Sequence, residues 1–322
     1  MEPNPDPMKK LLLSVLSAFL CFSVIAQTGA VLKLNLEKNR VYRLKSLSEQ
    51  TTSQTVNGIQ QNVVTSATYT MSLKMIDMTQ EFLVTEIHFD TLITNTNSMG
   101  KTVSINSAVE GNMASQEIGD IMSCIMNRLS KNALYVKMDF TGRPVEIVNL
   151  KMLSDLVLKD TSAVMLTGPT AAAIKKQIAG SVSDENLKRM IGLFTWWLPA
   201  KQVAVGDKWN LTQQINSGGM LLNIKTSFHL DEINGNLAKV SAESNISAPE
   251  NPSPIQSGGA TVTYDNLKGL SKSDMIIDMR TGLVSGDKAK THISGNLGVS
   301  APGLNMQIPL DINGESEIKS IQ

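Results

Sequence analysis

Leu32, Leu34 and Leu36 alternate with Lys33, Asn35 and Glu37, and the same two-residue period carries Tyr69, Met71, Leu73 and Met75 against Thr68, Thr70, Ser72 and Lys74. It returns late in the chain at Leu222, Ile224, Thr226, Phe228 and Leu230, and again at Leu304, Met306, Ile308, Leu310 and Ile312. Side chains on a strand point alternately to opposite faces, so this pattern predicts half-buried strands with one apolar and one polar side. Asn57-Gly58, Asn234-Gly235 and Asn313-Gly314 carry the residue types that tolerate positive φ, and each predicts a tight hairpin turn. Antiparallel sheet follows.

Elsewhere the period changes to that of a helix. Ile118, Ile121, Met122, Ile125, Met126 and Leu129 fall on one face, as do Leu187, Met190, Ile191, Phe194 and Leu198 behind a candidate N-cap at Ser183. Two weaker helices are expected near Leu150 to Leu158 and from Thr170 to Ala179, punctuated by Gly168-Pro169 and Gly180 and closed by Pro199. Pro249 to Gly259, rich in proline and glycine, reads as a long loop with no regular element.

Two parts of the chain resemble each other. Leu129-Ser130-Lys131 followed by Asp139-Phe140-Thr141-Gly142 recurs as Leu270-Ser271-Lys272 followed by Asp278-Met279-Arg280-Thr281-Gly282. Lys38-Asn39 before Tyr42-Arg43-Leu44 likewise matches Gly206-Asp207 before Trp209-Asn210-Leu211. The alternative is chance similarity among simple hairpins; as a duplication, the pattern predicts a mainly β (α+β) fold. Two similar antiparallel β units would form a curved sheet or half-barrel, with a helical segment between them. The expected divisions are residues 27–149 for a first β unit with one amphipathic helix, 150–200 for the helical segment and 201–322 for the second β unit.

The N-terminus changes the picture of location. Met8-Lys9-Lys10, the apolar run Leu11 to Ile25 and the small Ala26 have the charged, greasy and small-residue layout of a secretory signal peptide. The run is shorter than the ~20 apolar residues a membrane-spanning helix needs. Residues 1–26 are therefore expected to be cleaved, with Met8 as the native start and no transmembrane segment in the mature chain, which becomes periplasmic or secreted. Leu20 before Cys21 argues against lipid attachment there. Loss of Cys21 would leave Cys124 alone, so no internal disulfide is expected. The 29 basic and 29 acidic residues balance, giving no electrostatic case for nucleic acid.

Chemistry-bearing patterns are sparse. His88, His229 and His292 stand apart from one another; His88 shares a strand face with Glu86 and Asp90, which reads as a solvated face rather than a metal site. Ser285-Gly286-Asp287-Lys288 has the Ser-x-x-Lys spacing of some acyl-transfer enzymes but not the helix start that this chemistry uses. Asp139 and Asp278 read as turn caps. Of Trp196 and Trp197, adjacent on a helix, one is expected to anchor the helix to the sheet. No catalytic set, metal site or cofactor is expected.

The Leu-x-Leu-x-Leu opening, the segment Leu198-Pro199-Ala200-Lys201-Gln202-Val203 leading to Gly206-Asp207-Lys208-Trp209, and the Asp-x-x-Thr-Gly turn at Asp278 resemble a domain-of-unknown-function family of exported proteins from Gram-negative bacteria. That resemblance implies no catalytic residues. A more distant likeness, in architecture, is to the periplasmic lipoprotein-carrier half-barrel, which implies space for an acyl chain.

Two functions fit these readings. In the first, a non-enzymatic binding or carrier module takes an apolar or lipid-like ligand, and Ile118, Ile121, Met122, Ile125, Leu187, Met190, Ile191 and Phe194 line a groove against the sheet. The 17 methionines suit an adaptable surface of this kind. In the second, an envelope structural or protein-interaction module has a closed core, and the same helices simply cap it.

Overall fold

The computed structural model describes residues 29–321 apart from 57, 166–170, 218, 258 and 265; the expected signal peptide lies outside the described residues. Before the helical segment run β1 (Ala30–Leu32), β2 (Val41–Val56), β3 (Ile59–Met78), β4 (Phe82–Ser98), β5 (Lys101–Asn106), β6 (Leu134–Asp139) and β7 (Pro144–Ile147), with helix α1 (Ile118–Ser130) between β5 and β6. Helices α2 (Leu150–Val157), α3 (Ala171–Ser181) and α4 (Asp184–Thr195) follow. The rest is β8 (Lys201–Val203), β9 (Lys208–Ser217), β10 (Met220–Asn234), β11 (Leu237–Ser247), β12 (Ile255–Ser257), β13 (Ala260–Thr263), β14 (Lys268–Asp278), β15 (Leu283–Ala301) and β16 (Leu304–Ile321). The fold is mainly β, a large curved antiparallel sheet that does not close, with a helical segment.

All strands but β1 and β8 join one 14-stranded sheet, ordered β7-β6-β4-β3-β2-β16-β15-β14-β11-β10-β9 with β5 beside β4 and β12-β13 beside β15. Two runs of the same plan are visible in that order. β2-β3-β4-β6-β7 and β9-β10-β11-β14-β15 are both meanders, and Asp139 and Asp278 begin the equivalent last turn of each. Each run opens after a residue with positive φ, Asn39 or Gly206, and turns Tyr42 or Trp209 inward on its first strand. The β16–β2 ladder, from Leu310↔Gln54 to Ile321↔Arg43, fuses the two units into a single sheet.

Three expectations change. Asn313-Gly314 is no turn but the middle of β16, because the long ladders to β15 and β2 hold both sides of that segment and override the local turn signal. Leu129-Ser130-Lys131 closes α1 whereas Leu270-Ser271-Lys272 lies within β14, so this part of the repeat has no structural counterpart. The proline-rich stretch also contains β12, which pairs with β13.

The helices follow their apolar stripes, and α4 begins where Ser183 Oγ accepts the Asn186 N–H at 3.3 Å. α1 is fixed to the sheet by polar bonds as well as packing. Asn127 Nδ2 donates to the Ser107 carbonyl at 2.8 Å, and the Asn106 N–H donates to Ser123 Oγ at 3.0 Å. The main apolar core lies between these helices and one end of the sheet. A second cluster, containing Leu222, Ile246, Tyr264, Leu267, Ile293 and Leu310, lies toward the other end, near β12 and β13.

Residues 30–36 join the two units at the helical end. β1 pairs with β8; beyond it the Leu34 N–H donates to Phe140 O at 2.9 Å and the Asn35 N–H to Thr281 O at 2.8 Å, one bond to each Asp turn. Leu32, Leu34 and Leu36 are buried, so the alternation was a true sign of an extended, half-buried segment, although only its first part is laddered. The contact requires glycine. Gly282 has φ +75°, and a Cβ there would lie 2.3 Å from Lys33 O and 2.9 Å from Leu198 Cδ1. Gly282→Ala is expected to cost about 3 kcal/mol, whereas Gly286→Ala, with nothing within 4 Å of the new Cβ, should change stability by less than about 1 kcal/mol. Urea unfolding of the two variants measures the difference.

Candidate functional site

The structure places the eight expected lining residues in the main core. Ile121, Met122, Ile125, Leu187, Ile191 and Phe194 are buried, while Ile118 and Met190 are partly buried against the same cluster. α1 packs on β4 and β5, and α4 on β7 and β15, so the two stripes are brought to one core. None of the eight lines either of two surface concavities. One, of about 360 Å³, sits between α3 and the turn after α2 and is lined by Leu158, Val164, Ile178 and Lys175. The other, of about 380 Å³, surrounds Gly298 and touches Thr263, Asn305 and Gln307.

Strand register brings together a different set. Residues directly opposite on neighbouring strands share a face. From buried Leu44, Leu230, Met275 and Ile318, the inner face can be followed across the sheet. One row beyond the main core reads Ala67, Ser48, Ser316, Ala289, Ser273 and Ala242 from β3 to β11. The next reads Thr65, Gln50, Gly314, Thr291, Ser271 and Ser244. Most of these residues are half-buried. Their hydroxyls pair across strands, Ser271 with Thr291 and Thr226 with Ser244, both at 2.8 Å. Farther along, Ile312, Ile293 and Ile246 restore the apolar face. The inner face therefore carries a band of small, hydroxyl-rich residues, a trough in side-chain size, between two apolar clusters.

Asp287 stands at the edge of this trough. It lies on the inner face of β15 opposite Met275 and Ile318, and is only 6% exposed. Along the interiors of β2 to β4, β9 to β11 and β14 to β16, register puts every other Asp, Glu, Lys, Arg and His on the outer face. Burial pushes its carboxyl up to about 6, against the opposing hydrogen bonds of the Ser273 hydroxyl and the Lys288 backbone N–H; Asp274 on the neighbouring strand adds a repulsive charge. Among the described residues Oδ1 has no hydrogen-bond partner. A buried acceptor left unpaired costs free energy, so this atom needs a reason to be there.

The remaining candidates have structural roles. Glu86 is held below the usual carboxylate range chiefly by its hydrogen bond from Lys74 and also bonds His88, on the outer face. Asp139 accepts the Thr141 N–H at 2.9 Å, and Asp278 accepts the Arg280 N–H at 3.0 Å, both as turn caps. Arg280 also holds the Asp278 carboxyl low. Ser285 Oγ donates to Ile276 O at 3.0 Å, closing a bulge, so the Ser-x-x-Lys spacing makes no Ser–Lys pair. Trp196 carries Arg143 over its ring, and Trp197 packs on the core and accepts the Trp209 indole N–H at its carbonyl, 2.9 Å away. Cys124 is buried, which pushes its thiol up and keeps it protonated. Among the described residues no three His, Cys, Asp or Glu gather as a metal site would need.

In the sequence Asp287 occupies a free position of the Ser-x-x-Lys spacing, which draws attention to Ser285 and Lys288 instead. The signal was present in phase: Asp287, Ala289, Thr291 and Ile293 share one strand face, in which a carboxylate and two small residues precede the apolar position. The raised proton affinity has a stability consequence. An unfolded Asp titrates near 3.8, so the folded state binds this proton more tightly and loses stability as pH rises from about 4 to about 6. Asp287→Asn should be more stable than the parent at pH 8 by up to about 3 kcal/mol, and the gap should close on acidification to pH 4. Urea titrations at the two pH values check the sign.

Comparison with known proteins adds a family and distant structural likenesses. Residues 80–284 match the model of a family of unknown function, DUF6263. No curated protein matches. Among solved structures, lipovitellin in a study of its lipid–protein interactions aligns at a TM-score of 0.43 and 10% identity, over 89% of this chain and 25% of that one, so the chain spans a quarter of its length. An outer membrane channel from Pseudomonas putida F1 aligns at 0.25 and 7% identity, over 89% of this chain and 97% of the channel. A putative outer membrane lipoprotein-sorting protein domain from Vibrio parahaemolyticus aligns at 0.14 and 8%, over 86% and 83%. Scores this low fix neither fold nor function. No helix among the described residues is long and apolar enough to cross a membrane. The family match, by contrast, runs from the β3–β4 turn through both Asp turns and takes in more than half of the sequence: the chain belongs to the DUF6263 family.

Proposed function

We propose that this is an exported, non-enzymatic binding or carrier module that holds an apolar or amphipathic ligand on the concave face of its sheet, beyond the helices rather than beneath them. The observation that carries the reading is the pair of small-residue rows through Ala289 and Thr291. An open sheet normally covers its inner face with its own bulky side chains or with a second layer. Here the helices provide that layer at one end, and the main core is filled by them. Across the trough, Ser, Thr, Ala and Gly leave the inner face half-exposed between two apolar clusters, and a ligand could complete the cover. The charged and greasy N-terminal segment supports export.

A second reading, an envelope structural or protein-interaction module, is favoured by one observation: the stripes of α1 and α4 are spent on a filled core. The two readings part on ligand uptake. For the carrier, the dye 1-N-phenylnaphthylamine should brighten on binding, a lipid-like molecule should appear in native mass spectra, and Ala289→Phe, filling the trough from a half-buried position, should weaken dye binding at least tenfold, about 1.4 kcal/mol, with little change in unfolding. A protein that purifies empty and takes up no dye is the structural module instead. Export is measured separately: expression from Met8 in a Gram-negative host should give a periplasmic chain whose intact mass begins at Gln27.

A further inference from the structure

We infer that Asp287 is the polar anchor of the trough, and that the ligand it selects is a single-chain amphiphile with a primary ammonium head. The inference rests on the binding function proposed above and gives that ligand a head group.

Three observations meet at this residue. Asp287 is more than nine-tenths buried and faces inward, yet its Oδ1 has no donor among the described residues. On the inner face of the nine strands named above it has no counter-charge, since register places the Lys, Arg and His side chains of those strands outside. Its neighbours one step into the trough are Ala289 on its own strand, Ser273 on β14 and Ser316 on β16, all small and half-buried. A buried carboxylate is stabilised by an opposite charge that also donates to it. A primary ammonium supplies both, and its three N–H bonds match one carboxylate oxygen and the two flanking serine hydroxyls. A neutral alcohol offers one donor and no charge. A quaternary ammonium offers charge but no donor. The alkyl tail then runs along the hydroxyl rows toward Ile293 and Ile312, where the inner face becomes apolar again.

Competition against 1-N-phenylnaphthylamine at pH 7.5 with dodecylamine, dodecanol, dodecanoate and dodecyltrimethylammonium, each below its micelle concentration, separates the possibilities. Dodecylamine should bind at least tenfold more tightly than the alcohol or the quaternary salt, and dodecanoate least. In Asp287→Asn, which keeps the shape and removes the charge, the advantage of the amine over the alcohol should fall to about twofold while dye affinity is kept. Ser273→Ala should lower amine affinity about threefold without touching the alcohol. Equal binding of amine and alcohol to the parent, or an amine preference that survives Asp287→Asn, overturns the anchor while leaving the binding module standing. If neither dye nor any amphiphile binds the parent, the binding module itself fails. Circular dichroism of each variant confirms that it is folded, and the Ser273→Ala result stands alone if Asp287→Asn is not.

Discussion

The structure depends on one narrow passage of backbone. Residues 30–36 run between the turn after β6 and the turn after β14, giving one N–H to Phe140 and the next to Thr281. Those turns belong to the last hairpins of two meanders that advance in the same direction across the sheet, so one short segment ties the β6–β7 edge to β14 and β15 across the strands that lie between them. The join tolerates almost no volume. Gly282 meets the carbonyl of Lys33, and Gly142 meets that of Thr195, which sits at the end of α4. Thr195 in turn donates its hydroxyl to Gly142 O at 2.7 Å. Strand, turns and helix end are thus locked by polar backbone contacts that an added methyl group would break.

That lock decides where the apolar material goes. α1 and α4, and Leu32, Leu34 and Leu36, all contribute to the main core at the locked end, and the aromatic stack of Trp209 on Phe228, with centroids 5.3 Å apart, extends it to the β9 edge. Among the described residues no helix contributes to the cluster at the other end. There the sheet gains a small apolar cluster beside β12 and β13, in which buried Tyr264 also accepts the Leu221 N–H at its hydroxyl. Between the two ends the inner face is small and polar. A sheet that spends its bulky residues at two ends has a middle able to admit something else, and Asp287 lies at the boundary between core and trough.

Local periodicity was enough to identify most of the elements. A two-residue period marks a strand and a 3.6-residue period marks a helix because side-chain direction is set by the backbone a few residues away. The helices near 118–130, 150–157, 171–181 and 184–195 were legible for that reason, as were the inward leucines at 32, 34 and 36 and the turn-capping roles of Asp139 and Asp278. Local signals failed where distant strands decided the matter: Asn313-Gly314 has the chemistry of a turn, but β2 and β15 hold it straight.

The sequence by itself determined the class of fold, the doubled plan of the sheet and the helical segment. Tertiary structure decided which concave surface is filled and which is left open. The amphipathic stripes of α1 and α4 had to be covered by something, and periodicity cannot distinguish a sheet from a ligand; the packed core shows the sheet side of that choice. The trough has no local signature. Ala67, Ser48, Ser316, Ala289, Ser273 and Ala242 are scattered between positions 48 and 316, and only the long-range register of six strands places them in one row beside a buried carboxylate.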